Sequence, residues 1–325
     1  MEATAYWTAA PRRGELRPEQ LPQPGPDDVL VRTIASGISR GTELLVHRHG
    51  VPAAVRDRMR CPFQSGDLPG PVKYGYLNVG RVEAGPPHLL AKRVFCLYPH
   101  QDRYVVPASA VTVIPEDVPS ERAVLAGTVE TAVNALWDGA PRIGDRVAVV
   151  GAGMVGLALA ILLRRFPLGR LQLIDIDPEK ADVARRLGVE PAGPDEAAGD
   201  CDLVYHASAT QAGLATALRL LGDEGEVIEL SWYGDAEPQV PLGADFHVRR
   251  LTIRASQVGR VSPARAARRG PSDRLAIALD QLRDPAFDAL LAPAVRFDQL
   301  PQVMDDLDAG RGTSLCQVIS YEQEA

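Results

Sequence analysis

The 325-residue sequence predicts an α/β protein in two parts, a doubly wound unit with a parallel sheet and a smaller unit rich in short strands. Three observations carry that expectation. Val147-Ala-Val-Val150 is a β-branched run of the kind that forms a fully buried parallel strand. It leads directly into Gly151, Gly153 and Gly156 and an apolar stretch that starts near Met154. From there to Leu282, strand-like and helix-like segments alternate as in successive βαβ units, whereas residues 1 to about 118 hold short apolar runs broken by Gly and Pro.

In the first part, Asp28–Ala35, Val79–Glu83, Arg93–Leu97 and Tyr104–Pro107 read as strands, and Pro22–Pro26 and Ala84–Pro87 as turns. Such spacing predicts a β-barrel or an irregular all-β module. Glu121 to Leu136 switches to a helical period, and Gly144-Asp145 leads into the strand at Val147. Leu171–Asp175 is the second strand. Asp177 or Pro178 opens a helix that ends at Leu187-Gly188. Asp202–His206 is a strand, Gln211–Leu221 a helix, and Gly225–Leu230 and Leu251–Ala255 are strands, followed by a helix around Asp273–Leu282. In the tail, Ala294–Phe297 and Ser314–Ser320 return to strand character around a short helix at Leu300–Leu307. The expected division is 1–118 with 286–325 for the β-rich module and 119–285 for the parallel-sheet domain. No internal repeat is present.

Composition narrows the function classes. Hydrophobic content of 46% and charged content of 24% are those of a soluble globular protein. A net charge of −7 argues against nucleic acid or an anionic membrane as a general partner. Lys73, Lys92 and Lys180 are the only lysines, so arginine supplies nearly all positive charge. Cys61, Cys96, Cys201 and Cys316 are scattered, which indicates neither a zinc knuckle nor a disulfide framework. No signal peptide pattern and no run of ~18 apolar residues is seen, so the expected setting is cytoplasmic and reducing.

The glycine turn carries the first chemical reading. Gly151, Gly153 and Gly156 allow a tight turn, close approach of backbone to a diphosphate, and close packing of helix on strand. The backbone around Met154 and Val155 then points free N–H groups and a helix dipole at that anion. Asp175 falls 19 residues beyond Gly156, the offset of an acid that bonds a ribose hydroxyl. A carboxylate there repels a 2′-phosphate, which favours NAD over NADP, while Asp177 and Lys180 blur the preference.

Several segments give the chain a wider resemblance. These are Ser36-Gly-Ile-Ser-Arg-Gly-Thr-Glu43, Gly75-Tyr-Leu-Asn-Val-Gly80, Glu130-Thr-Ala-Val-Asn-Ala135, the glycine turn and His206-Ala-Ser208. With them, nearly the whole chain resembles the medium-chain dehydrogenase/reductase family. The Ser-Gly-Ile-Ser-x-Gly-Thr-Glu pattern is similar to the branch of the bacteriochlorophyllide 3-hydroxyethyl dehydrogenases. The resemblance implies a GroES-like β-barrel catalytic module, a Rossmann dinucleotide-binding domain, a nicotinamide cofactor and a small-molecule substrate. It also implies a homodimer formed through the outer strand Leu251–Ala255 continuing to Val258.

Zinc alcohol dehydrogenases of that family hold their active metal with Cys, a His followed by Glu, and a third Cys or acid. The matching positions carry Ser39, Tyr76-Leu77 and the stretch Ala126–Glu130, and the four-cysteine lobe is missing. Serine and tyrosine are poor zinc ligands beside thiolate and imidazole, so no catalytic zinc is expected. A site improvised from Glu43, His47 and Glu130 is the remaining metal option. Ser39, Thr42, Tyr76 and Glu130 are the candidate catalytic residues. Tyr76 donates to a developing alkoxide if its surroundings lower its pKa from ~10, and otherwise is a core tyrosine. Glu130 is a base or relay if burial raises its pKa, or an anchor between domains. Glu43 reads as scaffolding.

Other positions complete the expectation. Thr131 lies where relatives approach the nicotinamide. His206 and Ser208 end a strand at the ligand edge of the sheet, with His206 either facing the cofactor or buried on a backbone partner. Ser231 ends the next strand, and Trp232 and Tyr233 line the substrate wall or cover the core. His100, Gln101 and Tyr104 are placed in a barrel segment facing the cleft, and His47, Arg48 and His49 in a loop. Arg260, Arg265, Arg268 and Arg269 form a positive strip, solvated or facing an anionic substrate. The expected activity is zinc-independent, NAD(H)-dependent interconversion of a secondary alcohol and a ketone. The alternatives are an NADPH-dependent alkene or quinone reductase, and an inactive dinucleotide-binding sensor or partner subunit.

Overall fold

A computed structural model describes residues 1–243, 245–312 and 315–321. Contacts divide them into two units. The first comprises Met1–Gly127, Leu279–Arg283 and the described residues from Leu291 onward, and the second comprises Thr128–Ala278 and Asp284–Leu290. In this division residues up to Gly127 pack with the first unit: a Cβ on Gly127 would lie 2.6 Å from Leu77, and one on Gly37 would lie 3.2 Å from Val124.

The second unit is a six-stranded parallel sheet. Its order is Glu190–Ala192, Arg170–Ile174, Arg146–Val150, Cys201–His206, Leu221–Glu229 and Thr252–Ala255. This is a doubly wound order, with the glycine turn leaving the third strand in that row. Helix Met154–Leu163 is apolar all round because both its faces are covered; Leu157, Leu159, Ile161 and Leu163 are fully buried. Helix Pro178–Arg186 starts where Asp177 accepts from the Glu179 N–H at 2.9 Å, with Pro178 at its first position. Helix Gln211–Leu220 starts where Thr210 accepts from the Gly213 N–H at 3.0 Å. The edge strand Glu190–Ala192 has only three residues and was not legible beside its Pro and Gly neighbours.

The first unit holds two sheets. In the larger, Cys316–Ser320 pairs antiparallel with Asp28–Gly37, so the tail returns to the β-rich module. Asp28–Gly37 also pairs with Asn78–Ala84 and Arg103–Pro107. The start of the expected tail strand, Ser314, lies outside the described residues. The smaller sheet contains an N-terminal hairpin, Glu2–Ala10 with Arg13–Gln20, turned at Arg12 with φ of 58°. Its small and charged residues hid it from a hydrophobic pattern. Helix Arg40–His47 replaces the expected loop at His47, and His47 is fully buried there. Tyr104 is likewise core, stacked on Tyr98 with ring centroids 3.9 Å apart, rather than exposed to a cleft. Among the described residues, no helix is long and apolar enough to cross a membrane.

One buried ion pair organises the second unit. Arg274 is 3% exposed and donates to Glu130 at 3.0 Å, to Asn134 Oδ1 at 2.6 Å, and to the carbonyls of Val258 and Arg260. Replacing Arg274 with Leu leaves a buried carboxylate without its cation, so chemical denaturation should show a loss of about 3–5 kcal/mol. The double variant R274L/E130L should recover part of that loss. A loss for Arg274→Leu under about 1 kcal/mol would contradict the assignment.

Candidate active site

The glycine turn has the geometry its sequence requires. Gly151 has φ of +104°, a conformation an L side chain rarely adopts, and a Cβ there would lie 2.7 Å from the Ser208 nitrogen. A Cβ on Gly156 would lie 1.8 Å from the Gly151 carbonyl oxygen, so only glycine lets the helix pack this closely. Gly153 is different: a Cβ there would meet nothing within 4 Å. It is the N-cap of Met154–Leu163, no side chain caps that end, and the first-turn amides open onto this space. The arrangement fits an anionic diphosphate held by the backbone of Gly153, Met154 and Val155.

Asp175 lies just beyond Ile174 and accepts from the Ala152 N–H at 2.6 Å and the Asp177 N–H at 2.9 Å. A carboxylate has about four acceptor positions, so two remain for ribose hydroxyls. The adjoining cavity of about 290 Å³ is lined by Ala152, Asp175, Ile176, Lys180, Arg185 and Glu196, among others. Its two cations lie within the same lining as Asp175.

Further along the same sheet edge, His206 is fully buried and both ring nitrogens have partners. Nδ1 lies 2.7 Å from Glu229 Oε2, and Nε2 lies 2.7 Å from Ser208 Oγ. His206 and Glu229 are direct neighbours across two parallel strands. Glu229 also accepts from the Ser231 N–H at 2.7 Å and the Tyr233 hydroxyl at 3.2 Å. Ser231 Oγ accepts from the Ala209 N–H at 3.0 Å. Thus Ser208 and Ser231 are held in place by His206 and Glu229, and His206 presents no free nitrogen. Thr131 is half-buried on helix Ala126–Gly139.

The first unit gathers Ser39, Thr42 and Tyr76. The Tyr76 hydroxyl donates to Ser39 Oγ at 2.7 Å, and Thr42 also hydrogen-bonds it. Burial and the nearby Glu43 carboxylate push the Tyr76 phenol up to about 12, against the smaller pull of Ser39 and Thr42. The lowering on which donation to an alkoxide depends is therefore absent, and Tyr76 is a neutral phenol that donates to Ser39. Behind Ser39, Glu43 accepts from the Ser39 N–H at 2.7 Å and meets His100 Nε2 at 2.9 Å. His100 Nδ1 reaches Ser36 Oγ at 2.6 Å, which meets Tyr321 at 3.0 Å. Glu43 and His100 are 4% and 1% exposed, so this chain is internal scaffolding.

Glu130 lies in the second unit on the ion pair with Arg274; burial raises its pKa and Arg274 opposes the rise. His47 Nδ1 is 3.5 Å from the Tyr6 hydroxyl and its Nε2 3.6 Å from Asp305, so its role is in the core. Among the described residues, no three His, Cys, Asp or Glu side chains converge as a metal-ligand group. Glu229 was missed as a partner of His206. Its signal was an acid at the carboxyl end of the next parallel strand. Tyr321 had no local signal, since it stands 285 positions from Ser36.

Comparison with known proteins places the fold. No family model matches the chain. L-threonine 3-dehydrogenase of Sinorhizobium medicae is 29% identical over 40% of this chain, but the match spans only 34% of that protein's length. A protein of Aspergillus clavatus named "Probable D-xylulose reductase A" is 24% identical over 88% of each chain. Among solved structures, L-idonate 5-dehydrogenase from Escherichia coli has a TM-score of 0.81 at 13% identity, covering 99% of both chains. An alcohol dehydrogenase from Escherichia coli CFT073 in complex with NADH has a TM-score of 0.77 at 15% identity, covering 98% of this chain and 99% of its own. A dehydrogenase from Sinorhizobium meliloti 1021 bound to NADP has a TM-score of 0.77 at 16% identity, covering 99% of this chain and all of its own. The fold is that of the alcohol dehydrogenases, a Rossmann domain with a GroES-like module, and the relatives and neighbours are medium-chain dehydrogenases of the zinc type.

The His206–Glu229 contact sets a pH dependence. Burial alone would raise the Glu229 carboxyl, but the His206 ring and the Ser231 N–H outweigh it and hold it below the usual carboxylate range. Because the folded value is depressed, its stabilisation is complete above the unfolded value of ~4.3 and lost as pH falls through the folded one. Acid unfolding followed by circular dichroism should lose about one proton of steepness in Glu229→Gln, with a loss of about 1–3 kcal/mol at neutral pH. An unchanged acid limb would contradict this.

Proposed function

We propose that the protein is a zinc-independent, NAD(H)-dependent oxidoreductase that interconverts a secondary alcohol and a ketone. A bound nicotinamide supplies hydride acceptance or donation, and the residues supply binding, orientation and the proton-bearing groups. In the second unit, Gly153, Met154 and Val155 would take the diphosphate, Asp175 the adenosine ribose, and Ser208, Ser231 and Thr131 the far half of the cofactor.

The observation that carries the reading is the hydroxyl pair in the first unit. Having accepted from Tyr76, Ser39 keeps its own hydrogen for the substrate oxygen, and the Tyr76 bond polarises it. Ser39 and Tyr76 are hydroxyls at positions where the family resemblance places metal ligands, with the Thr42 hydroxyl adjacent. They orient a carbonyl by hydrogen bonds, and their donor chemistry does not suit zinc. Glu43 holds the backbone of Ser39 from behind. Glu130 is a positioning residue through Arg274.

One observation favours a second reading. Lys180 and Arg185 line the cavity beside Asp175 and offset its repulsion of a 2′-phosphate, which suits an NADPH-dependent alkene or quinone reductase. Fluorescence titration with NADH and NADPH separates the two. Binding of NADH at least about tenfold tighter than NADPH, reduced by Asp175→Ala, supports the NAD reading. Tighter NADPH binding would overturn it and promote the second. Tight NADH binding without turnover of a broad alcohol and carbonyl panel would instead indicate a sensor.

A further inference from the structure

The second unit carries one charged feature that cofactor binding does not use. Between Arg254 and Asp273 there is no acidic residue, yet Arg260, Arg265, Arg268 and Arg269 all lie exposed in this stretch. Among the described residues, none of the four side chains makes a hydrogen bond or an ion pair. The N–H groups of Arg268 and Arg269 both bond to the Arg265 carbonyl, so the three share one face at helical spacing. Like charges at that spacing destabilise a helix unless an anion meets them.

The backbone beneath the strip is fixed. The buried Arg274 holds the carbonyls of Val258 and Arg260, and Asn134 accepts from the Ser262 N–H at 3.0 Å. The strip is thus a set of guanidinium forks on a rigid base, suited to a carboxylate or phosphate.

The chain that carries the strip leaves the sheet at its ligand edge. All six strands are parallel, so the segment leaving Ala255 emerges at the same edge as the glycine turn and Asp175. Asp175 follows the second strand in the row and Ala255 ends the sixth, four strand spacings or about 19 Å away, and the strip lies in the chain that continues from Ala255. The diphosphate turn and the His206–Ser208 edge lie between. A dinucleotide with its adenosine at Asp175 and its diphosphate at the glycine turn therefore runs along this edge toward the Ala255 end, from which the chain of the strip continues.

We propose that Arg265, Arg268 and Arg269, with Arg260 alongside, form a site for a carboxylate or phosphate substituent of the substrate. The placement relative to the cofactor rests on the dehydrogenase reading; the anion site itself does not.

Calorimetric titration of the full-length, NADH-saturated protein with citrate and with inorganic pyrophosphate at low salt tests it. The variant R265Q/R268Q/R269Q, altered only at exposed positions, should bind either anion at least about tenfold more weakly while NADH affinity changes less than about twofold. R265K/R268K/R269K should keep part of the affinity, since charge remains without the fork. In turnover, a carboxylate-bearing secondary alcohol should exceed its methyl ester in kcat/KM by about tenfold through KM, and the triple Gln variant should erase that advantage. Equal anion affinity in parent and triple Gln variant overturns the proposal, as does tighter binding of a short DNA duplex than of either small anion. If NADH fails to bind, the dehydrogenase reading falls, and the same citrate titration without cofactor still decides the anion site. Stronger pyrophosphate than citrate binding assigns a phosphate, and the reverse assigns a carboxylate.

Discussion

The approach of Gly156 to the Gly151 carbonyl fixes where everything else at the ligand edge of the second unit lies. A Cβ at 1.8 Å from that oxygen is sterically forbidden, so the helix can come this close only as glycine. That closeness sets the height of the helix start over the sheet and leaves the space beside Gly153 open. Asp175 then ties the turn to the second strand through the Ala152 N–H. The carboxylate is thus both a brace for the turn and an acceptor with room to spare.

The buried polar clusters of the two units supply rigidity. Glu43, His100 and Ser36 are buried and mutually bonded, and so are Glu130, Arg274 and Asn134. Buried charges of this sort add little net stability over apolar packing, yet removing one partner is costly. The clusters at Glu43 and at His206 hold partly exposed groups in fixed positions. Glu43 and His100 stand behind Ser39, and His206 and Glu229 stand behind Ser208 and Ser231. In each unit the side chains with spare hydrogen-bonding capacity are the hydroxyls.

Much of this was legible in the sequence, for reasons that differ between the units. Val147–Val150 and Leu203–Tyr205 lie in central parallel strands buried on both faces, so their apolar runs are uninterrupted. Gly151 and Gly156 announce themselves because no other residue fits. The hairpin Glu2–Ala10 with Arg13–Gln20 did not, since its stability comes from pairing rather than from an apolar pattern. Helix Arg40–His47 was obscured by its Gly and Thr and by three neighbouring polar residues, although His47 proved to be core. At the candidate site, Ser39 and Tyr76 were singled out by position. Their hydrogen bond, the raised Tyr76 pKa and the His206–Glu229 couple depend on contacts between segments distant in sequence, which local patterns do not encode.

The central claim is that hydroxyl groups, and no metal, orient the reacting oxygen. The most direct measurement is the rate of hydride transfer between NAD and a secondary alcohol before and after exhaustive metal chelation, with zinc then added back. The account predicts an unchanged rate, a primary isotope effect from deuterium at the carbinol carbon, and no response to zinc. Loss of the rate on chelation with recovery on zinc addition would contradict it.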